Sequence, residues 1–254
     1  MKKKIRTERR DFFRKVALSS AGLVGMPFLP AVSAGTRKKE TPSNITILLQ
    51  GDSITDAGRN RGRYYPNDNG GMGGGYVYQI VAELLGSNPD KNLRCYNRGI
   101  SGNKVYQLAE RWDDDCLFLK PDVLSILIGV NDFWHTLTGN YAGTAKTYNN
   151  DFRALLDRTK EQLPDIKLII GEPFAVKGGS AITSQWDNDF SEYQKYAKQI
   201  AIDYGAAFIP YQYVFDKALE TAPVDYWCPD GVHPSMAGAY LMKNAWFEAF
   251  NTII

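Results

Sequence analysis

Residues 45–55 read Ile-Thr-Ile-Leu-Leu-Gln-Gly-Asp-Ser-Ile-Thr, an apolar run followed by a polar turn. Its first six residues, 45–50, form a short apolar run of the kind found in buried strands of parallel sheets. A Gly-Asp-Ser turn follows at 51–53, where Asp and Ser commonly cap the helix that comes after a strand. The segment therefore predicts a strand whose carboxyl end carries the hydroxyl of Ser53.

The same alternation of short apolar runs and longer segments of helical period continues through the chain. It predicts further strands at 93–96, 123–128, 167–170 and 207–209, and helices at 76–85, 104–112, 144–163, 187–204 and about 235–251. Strands that alternate with helices in this way are typical of an α/β domain, here with a mostly parallel five-stranded sheet.

Composition indicates one globular domain. A chain of 254 residues with 44% hydrophobic and 13% aromatic content can bury one sizeable core. The formal net charge is only +2, and part of the basic excess lies in the first 15 residues. We therefore expect no nucleic-acid partner.

The first 34 residues resemble a twin-arginine export signal. The pair Arg9-Arg10 precedes Phe12-Phe13 and an apolar run at 16–34, which ends in the small residues Ala-Val-Ser-Ala. Glycines and prolines within the run weaken a spanning helix. We expect cleavage after Ala34, a periplasmic or secreted domain at 35–254, and no stable membrane insertion. An uncleaved anchor and a basic tail are the alternatives.

Cysteine and histidine usage argues against a metal centre. Cys95, Cys116 and Cys228 are an odd number at wide, irregular spacings, which fits neither a disulfide scaffold nor a metal knuckle. Only two histidines, His135 and His233, are available as ligands. We expect neither a metal nor a cofactor.

Polar residues follow the first three predicted strands, where ligands bind in an open parallel sheet. These segments are Gly-Asp-Ser-Ile-Thr at 51–55, Asn-Arg-Gly-Ile-Ser-Gly-Asn at 97–103 and Gly-Val-Asn-Asp at 129–132. Each by itself is more often a helix cap or a turn. Together they bring a hydroxyl, a glycine N–H and a side-chain amide to one end of the sheet. Acyl transfer requires this set.

A base for the serine is found near the C-terminus, where Asp230 precedes His233 by three residues. At this spacing the carboxylate can accept the Nδ1–H of the imidazole and leave Nε2 to face a serine. We therefore predict Ser53 as nucleophile, His233 as general base and Asp230 as the residue that orients it. The alternative base is His135, for which only Asp132 stands at comparable spacing.

These motifs together look like the SGNH, or GDSL-type, hydrolase superfamily. The match consists of Gly-Asp-Ser-Ile-Thr at 51–55, Gly102, Gly-Val-Asn-Asp at 129–132 and Asp-Gly-Val-His at 230–233, in that order. The resemblance implies a flavodoxin-like three-layer α/β/α fold and a Ser-His-Asp triad. It also implies an oxyanion hole formed by the Ser53 N–H, the Gly102 N–H and the Asn131 amide.

A narrower likeness is to the bacterial xylan O-acetylesterase branch, through GDSITDAGR (51–59), NRGISGNKV (97–105), ERWD (110–113) and LIGVNDFW (127–134). It implies an acetylated carbohydrate substrate. Trp134 and Tyr64 are candidates for an aromatic wall against a sugar ring, and Asp52 is a third candidate substrate contact. The Gly-rich insert at 59–75 is a departure from the sequence pattern of that branch, so the resemblance does not determine which carbohydrate is the substrate.

Two other functions fit the same sequence. One is a lysophospholipase or thioesterase of the superfamily, and the other is a non-catalytic carbohydrate-binding relative. The sequence allows either a monomer or a homo-oligomer.

Overall fold

The computed structural model describes residues 40–254, so the predicted export signal at 1–34 lies outside the described residues. The strands are β1 (Thr46–Gly51), β2 (Arg94–Asn97), β3 (Val123–Leu127), β4 (Lys167–Gly171) and β5 (Ala207–Ile209). The helices are α1 (Ser53–Asp56), α2 (Tyr76–Ser87), α3 (Val105–Glu110), α4 (Val130–Leu137), α5 (Ala145–Gln162), α6 (Trp186–Asp203), α7 (Tyr211–Ala218), α8 (Val224–Trp227) and α9 (Met236–Ile253).

The five strands form one sheet in the order β2-β1-β3-β4-β5, and every neighbouring pair is parallel. This is the flavodoxin-like order. All six residues of β1 are buried, as expected for an inner strand covered on both faces. The predicted α/β fold with a parallel five-stranded sheet is confirmed.

Helices cover the sheet in two groups. One group contains α2, α7 and α9, in which α9 contacts the other two, and the second contains α3, α5 and α6, in which α5 contacts the other two. The buried residues of α6 include Phe190, Tyr193, Ala197 and Ile200, which lie on one face of the predicted helix. No helix within residues 40–254 is long and apolar enough to span a membrane.

The structure adds short helices that the sequence pattern did not predict. The sequence pattern predicts no helix directly after β3, but helix α4 begins there at Val130. The predicted helix at 104–112 instead ends at Glu110 and is followed by a π-helical turn at Asp113–Leu117. Elements of four to eight residues contain too few turns to give a clear hydrophobic period.

The insert at 59–75 lies against β2, the outermost strand on its side of the sheet. Asn67 makes three hydrogen bonds there: its N–H donates to Cys95 O (3.0 Å), its Nδ2 donates to Leu93 O (2.7 Å), and its Oδ1 accepts from the Cys95 N–H (2.9 Å). The insert is thus attached to the edge of the sheet through both the backbone and the side chain of Asn67.

The three cysteines are buried and unpaired. Burial raises the pKa of the Cys95, Cys116 and Cys228 thiols to about 12 in each case. Because the thiolate is the reactive form, all three side chains act as small apolar core residues.

Candidate active site

Ser53 is the first residue of α1, directly beyond the carboxyl end of β1. The preceding residue, Asp52, caps this helix, and its Oδ1 accepts the Ile54 N–H at 3.0 Å. The cap holds the turn in place, and the Ser53 Oγ lies 2.8 Å from Nε2 of His233. Residues separated by 180 positions are thus within hydrogen-bond distance.

Asp230 holds His233 from the other side. Its Oδ2 lies 2.6 Å from His233 Nδ1, and its Oδ1 accepts the backbone N–H groups of His233 (2.7 Å) and Val232 (2.9 Å). Burial would raise the pKa of Asp230, but the hydrogen bonds from His233 and Val232 outweigh it and hold the pKa below its usual value. An ionised Asp230 fixes the Nδ1–H tautomer and leaves the Nε2 lone pair facing Ser53.

The turn between Asp230 and His233 depends on a glycine. Gly231 has φ +86°, and a Cβ there would lie 2.3 Å from Ile182 Cγ1 and 2.7 Å from Val176 O. Both the left-handed conformation and the lack of space exclude a side chain at this position. Gly231 therefore allows the turn in which the Asp230 carboxylate faces the His233 imidazole.

The loop after β2 is attached to the loop that carries Ser53. The Ile100 N–H donates to Gly51 O (3.1 Å), and the Ser101 N–H and Oγ donate to Asp56 Oδ2 (2.9 and 3.1 Å). The backbones come close at Gly99, where a Cβ would lie 2.4 Å from Asp56 N. These contacts fix Gly102, at φ +82°, relative to Ser53. No motif or spacing in the sequence indicates this role of Asp56.

Three N–H donors lie on the consecutive strand ends β2, β1 and β3. The buried Asn131 side chain donates one Nδ2 hydrogen to Asn103 O at 3.3 Å, which leaves its second hydrogen unused by that bond. Within residues 40–254, the N–H groups of Ser53 and Gly102 have no protein acceptor. All three groups predicted to form an oxyanion hole are thus free to donate.

The three predicted substrate contacts differ in position. The Trp134 ring centroid lies 6.4 Å from that of His233 and packs edge-on against Trp186. Tyr64 is 62% exposed, and its ring lies 5.1 Å from Arg98 Cζ, so its contacts are with Arg98. The prediction for Asp52 is wrong in this structure, because Asp52 is fully buried and caps α1.

Asp52, which precedes Ser53, and Asp132, which follows Asn131, both carry buried carboxyl groups. Burial is the main cause that raises the pKa of each to about 7, and the charge of Asp52 adds to the effect on Asp132. Asp52 Oδ1 accepts the Ile54 N–H, and Asp132 Oδ1 accepts the Val105 N–H. The Oδ2 atom of each is buried and has no hydrogen-bond partner in the described part of the chain. Desolvation of this kind favours the neutral acid.

A small cavity of about 190 Å³ adjoins the catalytic candidates, and Ser53, Gly74 and His233 are among its lining residues. Among residues 40–254, no group of three or more His, Cys, Asp or Glu side chains has an arrangement that could hold a metal ion.

The chain belongs to the GDSL-like lipase/acylhydrolase family, whose pattern it matches over residues 49–241. It is a carboxylic ester hydrolase, because it is 34% identical over 208 residues to an acetylxylan esterase of Geobacillus stearothermophilus, with 81% of this chain and 94% of the relative covered.

Solved structures support the same assignment. A GDSL-like lipase candidate from Parabacteroides merdae is 50% identical, with a TM-score of 0.81 over 83% of this chain and 97% of its own. The acetylxylan esterase Axe2 of G. stearothermophilus is 31% identical, with a TM-score of 0.74 over 82% of this chain and 94% of its own. Both similarities extend over most of the described chain.

Proposed function

We propose that this esterase removes O-acetyl groups from plant polysaccharides or their oligosaccharide fragments. The observation that carries the proposal is the hydrogen-bonded series from Ser53 Oγ to His233 Nε2 (2.8 Å) and from His233 Nδ1 to Asp230 Oδ2 (2.6 Å). The similarity to acetylxylan esterases supports acetyl as the acyl group and a plant carbohydrate as the alcohol.

The first half of the reaction forms an acetyl-enzyme. His233 Nε2 accepts the Ser53 proton as Oγ attacks the acetyl carbonyl carbon, and the carbonyl oxygen becomes an oxyanion. The Ser53 N–H, the Gly102 N–H and the Asn131 amide donate to this oxyanion. The imidazolium then donates this proton to the sugar oxygen as the C–O bond between that oxygen and the acetyl carbon breaks.

The second half releases acetate. His233 accepts a proton from water, the hydroxide oxygen attacks the acetyl carbon, and the proton returns to Ser53 Oγ as the acyl-enzyme bond breaks. Asp230 remains ionised throughout and stabilises the imidazolium that forms in both halves.

We further propose that the domain works outside the cytoplasm, after export through the signal at 1–34. Cleavage after Ala34 would leave a mature protein of 220 residues (254 − 34). The N-terminal sequence of protein recovered from the periplasm or medium tests this, and a mature chain that still contains residues 1–34 would contradict it.

The function is tested by acetate release from acetylated xylan, glucomannan and pectin fragments. Wild type should release acetate from at least one of them, and Ser53→Ala should retain only the residual rate due to the oxyanion hole and binding, about 10³ to 10⁴ over water. Ser184→Ala, at an exposed serine remote in sequence from the motifs, is the matched control and should match wild type.

Acyl-chain length separates this function from a lysophospholipase or thioesterase. On 4-nitrophenyl esters of two, four, eight and twelve carbons, an acetylesterase should lose kcat/KM steeply beyond the short esters. Higher kcat/KM on the long esters, with no acetate release from any polysaccharide, would contradict the proposal. Sugar binding without hydrolysis of any ester would instead indicate a non-catalytic relative.

A further inference from the structure

A second and much larger cavity, about 1240 Å³, lies beside the Ser53 and His233 pocket. It is an open groove between the Gly-rich insert, α2, α8 and α9, and we call it the aromatic groove. Its walls carry four large, solvent-exposed side chains, namely Tyr78 (43% exposed), Tyr226 (57%), Tyr240 (53%) and Met236 (84%). Exposed apolar groups gathered in one concave surface commonly mark a binding site.

The aromatic groove is continuous with the small catalytic pocket. Gly74 lines both cavities, and Ser235, which lines the groove, follows His233 by two residues. Gln79 of α2 donates to Met236 O at 3.3 Å and joins two walls of the groove. A ligand that occupies the pocket at His233 can therefore extend into the groove.

The chemistry of the ester determines which part of the substrate lies on this side. The leaving sugar oxygen must receive its proton from His233, so the sugar lies next to the imidazole. Gly102 and Asn131, which face the oxyanion, do not line the small pocket or the groove. This step rests on the proposed function, and it places the alcohol side of the substrate toward the groove.

The lining of the groove is neutral. Its side chains are aromatic, amide, hydroxyl or apolar groups, including the Met236 thioether, and none is an Asp, Glu, Lys or Arg. The nearby Lys243 lies over the Tyr240 ring, but its ammonium is paired with Glu83 at 2.6 Å. A phospholipid headgroup or coenzyme A would need cations for its phosphates. Tyrosines instead present an apolar face with a hydroxyl at one end, which suits a neutral sugar ring.

We propose that the aromatic groove binds the sugar residues that flank the acetylated one, so that the enzyme recognises a neutral oligosaccharide chain rather than a single sugar. Tyr226 and Tyr240 provide the faces on which rings pack. Tyr226 is held by an edge-on contact with Trp227, whose ring centroid is 4.7 Å away. The volume of the groove exceeds the roughly 300–1000 Å³ of usual small-ligand sites, which is consistent with more than one ring.

The test compares acetylated xylo-oligosaccharides of increasing length with 4-nitrophenyl acetate. For wild type, kcat/KM should rise with the number of sugar rings. In Tyr226→Ala and Tyr240→Ala, the ratio of kcat/KM on the longest oligosaccharide to that on 4-nitrophenyl acetate should fall by roughly 3- to 10-fold each. Tyr213→Ala, at a tyrosine of α7 that is 59% exposed and does not line the groove, should leave the ratio unchanged.

A binding measurement separates failure of this proposal from failure of the proposed function. Calorimetry of Ser53→Ala with unacetylated xylohexaose should show tighter binding than with xylose, and the additional Tyr226→Ala change should reduce this difference in affinity. If wild type released no acetate from any polysaccharide, the proposed function would be wrong, while this binding result would still decide the role of the groove.

Three results would overturn the inference. The first is equal loss on both substrates in the tyrosine variants, or no loss on either. The second is a preference for long-chain aryl esters that Tyr226→Ala removes, which would make the groove an acyl channel. The third is a concentration-dependent dimer in size-exclusion chromatography that Met236→Glu dissociates, which would make the groove an interface between two copies.

Discussion

The ammonium Nζ of Lys104 lies 3.0 Å from Nδ1 of His135. Lysine has no acceptor, so Nδ1 must accept this hydrogen bond and the imidazole proton resides on Nε2. Burial, and then the charge of Lys104, lower the pKa of His135. A neutral imidazole with Nε2 protonated cannot accept a serine proton there, and this makes His135 unsuitable as the base.

The two histidines should therefore respond differently to substitution. His233→Ala should lower kcat by at least about 10⁴-fold, because Ser53 loses its proton acceptor. His135→Asn, whose side-chain oxygen can still accept from Lys104, should keep kcat within about 10-fold, because a neutral His135 takes no part in the proton transfer. Steady-state hydrolysis of 4-nitrophenyl acetate at one fixed pH measures both. Loss of activity in His135→Asn but not in His233→Ala would reverse the assignment.

Asp230→Asn should retain the shape of the turn but reduce kcat by about 10⁴-fold, as expected when the orienting group no longer fixes the histidine tautomer. The Asn Oδ1 can still accept the N–H groups of Val232 and His233, so the loop should stay folded. Circular dichroism and kcat on an aryl acetate test the two parts. Unchanged kcat in a folded variant would remove Asp230 from the triad.

Asn131→Ala should lower kcat by roughly 10² to 10³ with little change in KM, because an oxyanion-hole bond is strong only in the transition state. The competing role is structural, since Asn131 also donates to Asn103 O. Loss of that hydrogen bond alone would cost about 1 kcal/mol of stability and spare kcat. Thermal melting and steady-state kinetics on one preparation decide between them.

Buried carboxyl groups should make stability fall as pH rises. The pKa values of Asp52 and Asp132 are about 7 in the folded protein and near 3.8 when unfolded, so the folded state binds more protons between these values. Their contribution is fully present below about pH 4 and is lost as pH rises through about 7. Each proton adds a slope of at most about 1.4 kcal/mol per pH unit.

Asp132→Asn should reduce this slope, because its Oδ1 can still accept the Val105 N–H while the titrating group is gone. Urea unfolding at pH 5, 6, 7 and 8 gives the free energies needed for wild type and variant. Parallel curves for the two proteins would show that Asp132 does not titrate in this range.

Sequence alone predicted the features that depend on local pattern and motif order. The strand before Ser53 and the long helices around Phe152 and Phe190 have enough residues to display their period. Asp230 and His233 are in contact within one turn, so the three-residue spacing between them predicts the contact. That Ser53 and His233 act together was implied by the resemblance to the SGNH hydrolases, because His233 follows α8 and does not stand at a strand end.

The other features of the site depend on side-chain packing, which the spacing of residues in the sequence does not show. The Gly-Asp-Ser turn indicates that Asp52 can cap α1, but nothing in the sequence shows that its side chain is fully buried. The pairing of Lys104 with His135 joins residues 31 positions apart on different helices or their flanks. The hydrogen bonds between Asp56 and Ser101 likewise depend on how closely two loops approach each other. Gly99 allows this close approach, but a glycine at that position does not by itself predict it.

The hydrogen bonds of Asn67 to β2 have a consequence for solubility. An outermost strand exposes a row of unpaired N–H and C=O groups on which another chain can add a strand and begin to aggregate. Asn67 already occupies both the N–H and the C=O of Cys95, as well as the C=O of Leu93. The insert therefore blocks strand addition at this side of the molecule, and β5, with only three residues, offers little template at the other.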